Sequence, residues 1–227
     1  MRNKKFMTLA DVLSKVKKAP IVDFDPKKDR MLTVHFDLLG QELSEDVFSD
    51  TATFSKWVEA KRVNAGAKFG MGGYDEYREI YSRSEHFNGT EPRRLHLGVD
   101  IWGPAGTAIY APLGGAVHSF KNNDNFGDYG PAIVLKHEVD GLIFHSLYGH
   151  LSVSSLEGLE VGQLVEKGQR IATFGNYDEN GGWPPHLHFQ LIKEMGDYNG
   201  DYPGVCKLSE RGVYLTNCPD PALLIEF

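Results

Sequence analysis

Residues His96-Leu97-Gly98-Val99-Asp100 place an imidazole and a carboxylate at positions that alternate with apolar residues. In a β-strand alternate side chains share one face, so His96 and Asp100 are expected to project together. Gly98 between them has no side chain and leaves room for a metal ion. The apolar residues that alternate with this polar set predict a strand with one face toward a core.

A second segment, His186-Leu187-His188, adds two imidazoles on one strand face, while Leu187 and Phe189 point to the other face. A third segment, Tyr148-Gly149-His150, adds one more imidazole. Zinc in a hydrolytic site takes three ligands from His, Asp or Glu and keeps a fourth position for water. His96, Asp100, His186 and His188 are therefore four candidates for three ligand positions, with His150 in addition. Such ligands fit zinc best and also admit manganese or cobalt.

The segment from His96 to Leu191 resembles the LytM/lysostaphin-type zinc metalloendopeptidases, which cut peptidoglycan cross-bridges. The resemblance rests on a series of motifs in the family's order: HLGVD at 96–100, Ala111-Pro112, Gly115, Val117, Leu135-Lys136-His137, YGHLS at 148–152, Gly162, Val165, Gly168-Gln169, Ile171 and Pro185–Phe189. It implies that one zinc ion per chain is bound by His96, Asp100 and His188. It also implies that His150 and His186 are the catalytic residues beside the reacting water.

Two departures from the family pattern concern specificity and support of the site. Residues 176–185 stand where the secreted enzymes usually carry a short Gly/Ser/Thr loop, and Gln190 stands where Glu is common. We expect Gln190 and His137 to support the metal ligands by hydrogen bonding from behind. The sequence of residues 179–192, with DYGP at 128–131 and CPDP at 218–221, most resembles a subgroup of the family. In that subgroup the domain lies within larger proteins, between phosphotransferase and aminotransferase domains.

The chain after residue 91 predicts β structure. Apolar or alternating runs occur at 108–111, 116–120, 133–137 and 142–148, and Asp140-Gly141 is a hairpin signal. The resemblance implies two stacked antiparallel sheets, lysostaphin-type, with the metal in a groove across one of them. We therefore expect an all-β catalytic core, a zinc peptidase-like domain with a C-terminal tail, over residues 91–227.

Residues 1–90 have more helical periodicity and are expected to form a partly helical N-terminal extension that packs on the core. Three helices are predicted: one from a Thr8 cap to about Lys18, one through Phe54, Trp57 and Val58 that ends near Gly66, and one through Tyr74, Tyr77 and Tyr81. In some relatives an upstream segment lies over the metal. Four residues are candidates to line or close the cleft in this way: Tyr77, Arg78, Tyr81 and His86.

Composition limits the cellular setting and the partners. The 227 residues are 41% hydrophobic, enough for one ordinary core with an extension. A net charge of -7 argues against nucleic-acid and anionic-membrane partners. Charged residues interrupt the start before a signal peptide could form, so a cytoplasmic protein is expected. Cys206 and Cys218 are expected to be free thiols.

The function expected from these features is zinc-dependent hydrolysis of an amide bond in peptidoglycan-type or glycine/D-amino-acid-containing peptides, with a peptide or muropeptide as substrate. One alternative is a zinc-binding non-proteolytic module or a small-amide hydrolase in the cytoplasm. A more distant alternative is a carrier domain, because residues 158–172 resemble a hairpin of biotin and lipoyl carriers, although no Met-Lys pair occurs. The oligomeric state is left open.

Overall fold

Twelve strands lie in the part of the chain that the computed structural model describes, residues 7–36 and 43–226. They are β1 (Met31–Thr33), β2 (Phe69–Gly72), β3 (Arg93–His96), β4 (Val99–Trp102), β5 (Ala108–Tyr110), β6 (Gly115–Asn123), β7 (Gly130–Val139), β8 (Leu142–Gly149), β9 (Leu164–Val165), β10 (Arg170–Thr173), β11 (His186–Ile192) and β12 (Val205–Lys207). Eight of them form one sheet in the order β1-β2-β4-β11-β8-β7-β6-β9. Neighbours in this sheet are antiparallel except for the parallel edge pair β1 and β2.

Local sequence accounts for the long central hairpin. Asp140 and Gly141 have φ angles of 50° and 79°, and they join β7 to β8 in a two-residue turn. Such a turn suits residues that tolerate positive φ, which is why Asp-Gly is a strong hairpin signal. The hairpin and the four predicted strand regions after residue 91 are confirmed.

The sheet has an apolar core on each face. Leu187 and Phe189 are fully buried on one face, where Ile109 and Ala172 of a small sheet formed by β5 and β10 join the same cluster. The opposite face packs Val134 and Leu147 against other apolar side chains. The predicted all-β core is thus confirmed, and the second of its stacked layers is a sheet of only two strands.

The extension forms two of its three predicted helices. Thr8 caps α1 (Leu9–Leu13) through a capping box, but α1 ends well before Lys18. After α2 (Glu45–Ser49), α3 (Thr51–Asn64) ends just before Gly66, whose φ is +61°. Both helix predictions are therefore confirmed in place, and α1 is shorter than expected.

The third predicted helix, through Tyr74, Tyr77 and Tyr81, is wrong. The backbone of this segment bonds instead to β3, with the amide of Arg78 donating to the Arg94 carbonyl at 2.9 Å and the amide of His96 donating to the Glu76 carbonyl at 2.9 Å. Tyr81 lies in a short 3₁₀ helix over Glu79–Arg83, which a second one over Glu85–Phe87 follows. Of the three tyrosines at helical spacing, Tyr81 is buried and Tyr77 is exposed. No α-helix forms here because pairing with β3 satisfies the backbone groups instead.

The extension also lengthens the main sheet. Strand β2 pairs with β4 antiparallel, and Gly72 lies opposite Asp100. The extension therefore contributes strands as well as helices beside the strand that carries Asp100. The domain boundary near residue 90 stays a prediction.

The C-terminal part returns to the sheet. Strand β12 pairs with β3, so that Val205 lies opposite His96, and α4 (Arg211–Asn217) follows. Cys206 and Cys218 are buried and free, as predicted. None of the helices in the described ranges has the length and hydropathy that crossing a bilayer requires.

Replacement of Phe54 by Ala tests the packing of the extension on the core. Phe54 is fully buried and belongs to the same apolar cluster as Trp102 and Val205 of the core. Loss of the ring should lower the free energy of unfolding by about 3–5 kcal/mol, measured by urea denaturation. Val63→Ala on the same helix is the control, because Val63 is 55% exposed and should change the free energy by less than about 0.5 kcal/mol. Equal effects of the two variants would contradict this packing.

Candidate metal centre

Three side chains that could hold a metal ion converge at the centre of the sheet. His188 on β11 lies opposite Asp100 on β4, and His96 ends β3. Their ligand atoms lie within 4.8 Å of one another, and the three residues are between 1% and 3% exposed. Gly98 lies against this cluster, because a Cβ there would be 2.6 Å from the His188 ring.

Hydrogen bonds behind the two histidines assign their tautomers. His96 donates from Nδ1 to the Gly73 carbonyl at 2.7 Å, and His188 donates from Nε2 to Oε1 of Gln190 at 2.9 Å. Both inward nitrogens therefore carry lone pairs. Metal-binding histidines in proteins are fixed in the same way by an acceptor on the other ring nitrogen.

The inward atoms of the cluster fit a zinc ion. Nε2 of His96 and Nδ1 of His188 lie 2.8 Å apart, and each is 3.3 Å from Oδ1 of Asp100. Oδ1 is buried without a hydrogen-bond partner. Two lone pairs and a carboxylate oxygen at such distances repel one another unless a cation lies between them. Two imidazoles and one carboxylate form a ligand set that zinc accepts in catalytic sites.

His150 and His186 lie beside the cluster with their rings 4.2 Å apart between centroids. His186 donates from Nδ1 to the Pro184 carbonyl at 2.7 Å, and His150 donates from Nδ1 to the Asn180 carbonyl at 2.8 Å. Burial lowers the pKa of His186 to about 4 and holds the pKa of His150 well below its ordinary value. Both rings are therefore neutral at pH 7, with Nε2 able to accept a proton.

Backbone strain and stacking fix these two rings. His150 has a φ of +61°, a conformation that is rare for a residue with a side chain. The ring of His186 stacks on Trp102, with 4.0 Å between centroids and 18° between planes. Backbone conformation and packing therefore fix the orientation of both rings.

Arg78 of the extension contacts the third ligand. Its Nη1 donates to Oδ2 of Asp100 at 2.5 Å, its Nε donates to Glu76, and the residue is 1% exposed. Burial alone would raise the pKa of Asp100, but the adjacent imidazole of His96 and the positive charge of Arg78 hold it well below its usual value. The carboxylate is therefore ionised across the physiological pH range.

A cavity of about 230 Å³ opens onto these groups. Of the four extension residues predicted to line or close the cleft, Arg78, Tyr81 and His86 line this cavity. Tyr77 does not, since it pairs with Leu95 through an isolated bridge and is 38% exposed. The loop at 176–185 contributes Trp183 to the wall.

Comparison with known proteins agrees with this geometry. Residues 94–200 match the model of peptidase family M23. The chain contains an M23 domain. It is 35% identical over 111 residues to the peptidoglycan DD-endopeptidase ShyA of Vibrio cholerae, covering 45% of this chain and 23% of that protein. It is 29% identical over 125 residues to the L-Ala--D-Glu endopeptidase of Bacillus subtilis, covering 53% and 35%. The chain thus spans about a third or less of the length of these relatives.

Among solved structures, the catalytic domain of lysostaphin from Staphylococcus simulans is similar with a TM-score of 0.41 and 23% identity. The similarity covers 70% of this chain and 96% of that one.

Gln190 and His137 are the two residues expected to hydrogen-bond to the metal ligands. Of the two, Gln190 does so and His137 does not. The Gln190 amide accepts from His188 and donates to the Pro203 carbonyl at 3.2 Å. His137 lies on the opposite face of the sheet, where its ring nitrogens bond to the Gly114 carbonyl at 2.9 Å and Ser146 Oγ at 2.7 Å. The expectation that His137 supports the metal ligands is therefore wrong. Side chains alternate between the two faces of a strand, and His137 lies on the face of the apolar core, opposite to that of His188.

Trp102 and Tyr129 also contact the candidate site, and the sequence predicted no role for either. The Tyr129 hydroxyl donates to the Tyr202 carbonyl at 3.0 Å and lies 3.5 Å from Nε2 of His188. The ring fits between Gly149 and Gly204, where a Cβ on either would collide with it. Trp102 had a local signal, since it lies two residues after Asp100 on the same strand face. Tyr129 had none, because its contacts come from distant parts of the chain.

Gly98→Ala tests how closely the ligands are packed. The added Cβ would lie 2.6 Å and 2.7 Å from His188 ring atoms and 2.8 Å from the Phe189 carbonyl oxygen. We expect the variant to lose at least 10-fold in zinc affinity, measured by competition with a chelator. Gly212→Ala is the control, since a Cβ there meets nothing within 4 Å. Undiminished zinc binding by Gly98→Ala would show that the cluster is looser than described.

The buried position of His137 predicts a pH dependence of stability. Burial lowers its pKa to about 4, against about 6.5 in an unfolded chain. Between pH 6.5 and 4 the unfolded state therefore binds a proton that the folded state does not, and stability falls with falling pH. In zinc-free protein, His137→Gln should reduce the slope of unfolding free energy against pH by up to about 1.4 kcal/mol per pH unit. Urea unfolding at a series of pH values measures this slope, and identical slopes for both proteins would contradict the prediction.

Proposed function

We propose that this M23 domain is a zinc-dependent metallopeptidase that hydrolyses an amide bond in peptidoglycan-type or glycine/D-amino-acid-containing peptides. The observation that carries the proposal is the convergence of three buried ligand atoms beside two neutral imidazoles. His96, Asp100 and His188 are the proposed metal ligands. His150 and His186 are the proposed catalytic residues.

Zinc bound by the three ligands would acidify water and polarise the substrate carbonyl. His186 and His150 would supply the proton transfers, because each presents an unprotonated Nε2 while a backbone carbonyl holds Nδ1–H. Oδ1 of Asp100 lies 3.8 Å from Nε2 of His186, and its charge offsets part of the lowering of the His186 pKa by burial. The same ring could then return the proton to the departing amine.

The relatives support the substrate class. ShyA is named a peptidoglycan DD-endopeptidase, and the Bacillus subtilis relative is named for a bond that involves a D-amino acid, as an L-Ala--D-Glu endopeptidase. A peptide or muropeptide substrate follows for this domain by similarity. A cytoplasmic location, and the lack of nucleic-acid and membrane partners, stay predictions from the sequence.

The burial of the site favours a second candidate, hydrolysis of a short peptide or small amide. The five site residues are at most 6% exposed, and the cavity is about 230 Å³. A free small substrate enters such a space more easily than a strand of cross-linked wall. The carrier alternative loses its support, because within residues 158–172 β9 pairs with β6, whereas Arg170 and Ala172 of β10 pair with β5, so no carrier-type hairpin forms.

Two alanine variants separate the proposed roles. His188→Ala should lose zinc, whereas His186→Ala should retain about one zinc per chain and lose most of its activity. Zinc is measured by elemental analysis of purified protein. Activity is measured as new amines released from glycine- or D-alanine-containing peptides and from crude wall material.

His118→Ala is the matched control, because His118 is half-buried on β6 and contacts Ser119 and His145 rather than the site. It should keep both zinc and activity. Full activity of His186→Ala and His188→Ala would contradict the assignment. Cleavage of short peptides without cleavage of wall material would favour the second candidate.

A further inference from the structure

We propose that Arg78 is a positioning residue for the metal ligand Asp100, so that the N-terminal extension completes the zinc site. This inference rests on the proposed function, since it concerns the same metal. It assigns to the extension a part in building the site in addition to covering it.

The two oxygens of Asp100 face different partners. Oδ1 points toward His96 and His188, at 3.3 Å from the inward nitrogen of each. Oδ2 accepts a hydrogen bond from Nη1 of Arg78 at 2.5 Å. The guanidinium and a cation in the cluster therefore use different oxygens and do not compete for one. An arginine can only donate, so its contact fixes which oxygen stays free for the metal.

The guanidinium itself is held rigidly. Its Nε donates to Glu76, its Nη1 also lies 3.3 Å from the Tyr81 hydroxyl, and its Cζ lies over the Phe36 ring at 5.1 Å from the centroid. Gly73 makes room for it, because a Cβ at that position would collide with Nη2. Gly73 has a φ of +101°, which only glycine adopts readily. An arginine so confined cannot follow a change in the orientation of Asp100, and it therefore fixes that orientation.

Glu76 links the guanidinium of Arg78 to the backbone at Phe36. Its Oε1 accepts the Phe36 amide at 3.0 Å, and the residue is 8% exposed. The charges of the buried groups therefore alternate: Glu76 is negative, Arg78 is positive and Asp100 is negative, and the proposed cation site follows. Removal of Arg78 would leave two buried carboxylates without their shared cation, and Asp100 would be free to turn.

Zinc affinity of Arg78 variants tests the inference. Arg78→Met should bind zinc 10- to 100-fold more weakly than wild type, the usual cost of losing a group that orients a ligand. Arg78→Lys should recover part of this loss, because an ammonium restores the charge but not the planar fork. Affinity is measured by chelator competition on zinc-free protein, after circular dichroism has shown that each variant is folded. The visible absorption spectrum of the Co²⁺-loaded protein gives a second readout of the ligand geometry.

Arg62→Met is the matched control. Arg62 is an extension arginine whose side chain is 13% exposed and bonds to the carbonyls of Ala67 and Lys68, away from the cavity. It should lower stability without changing zinc affinity or the Co²⁺ spectrum.

Four results would overturn the inference. Wild-type affinity in folded Arg78→Met would mean that Arg78 acts only on stability, and tighter binding would mean that it competes with the metal. If Arg78→Met does not fold, wild-type affinity in Arg78→Lys would overturn it. A wild-type protein that binds no zinc would instead overturn the proposed function, and the inference with it.

Discussion

The site depends on one electrostatic constraint, the ionised carboxylate of Asp100, which is buried against the guanidinium of Arg78. Burial of a lone carboxylate is costly, and an ion between paired groups is tolerated only where the geometry satisfies each of its oxygens. Arg78 satisfies Oδ2, while Oδ1 is left to face the lone pairs of His96 and His188. The rest of the structure brings those four side chains together from three separated segments of the chain.

The sheet does this with strand pairing and small residues. Antiparallel pairing sets His188 opposite Asp100 on one side and Gly149 on the other. Because Gly98 and Gly149 have no side chains, His188 and the Tyr129 ring can pack close to the backbone. Backbone carbonyls at Gly73, Pro184 and Asn180 then hold three of the four imidazoles by their outer nitrogens. Gln190 does this for His188, which is where this chain departs from the glutamate common in the family.

Much of this arrangement could be predicted because it is local in the sequence. Strand alternation identified the two histidines that share a face at 186–188, and Asp140-Gly141 located the central hairpin. The single strand predicted over residues 96–100 is wrong, because the chain leaves β3 at His96 and enters β4 at Val99. His96 and Asp100 converge because two separate strands bring them together, and their alternation along one strand is not the cause. The contact of Arg78 with Asp100 could not be derived, since the two lie 22 residues apart and no periodicity links them. The same holds for the segment 74–81, where aromatic spacing imitates a helix while the backbone pairs with β3. His137 shows the reverse error, because a family position does not by itself say which sheet face a residue takes.

The pairing of β2 with β4 has a consequence for the size of the folding unit. The family match covers residues 94–200, yet β4 is bordered by a strand at 69–72 and β3 by a strand at 205–207. Excision of the matched segment would strip both neighbours and leave two rows of unpaired amide and carbonyl groups. Bare strand edges of this kind recruit one another between molecules. A shortened protein would thus be prone to self-association, and its insolubility would reflect missing neighbours rather than a defective core.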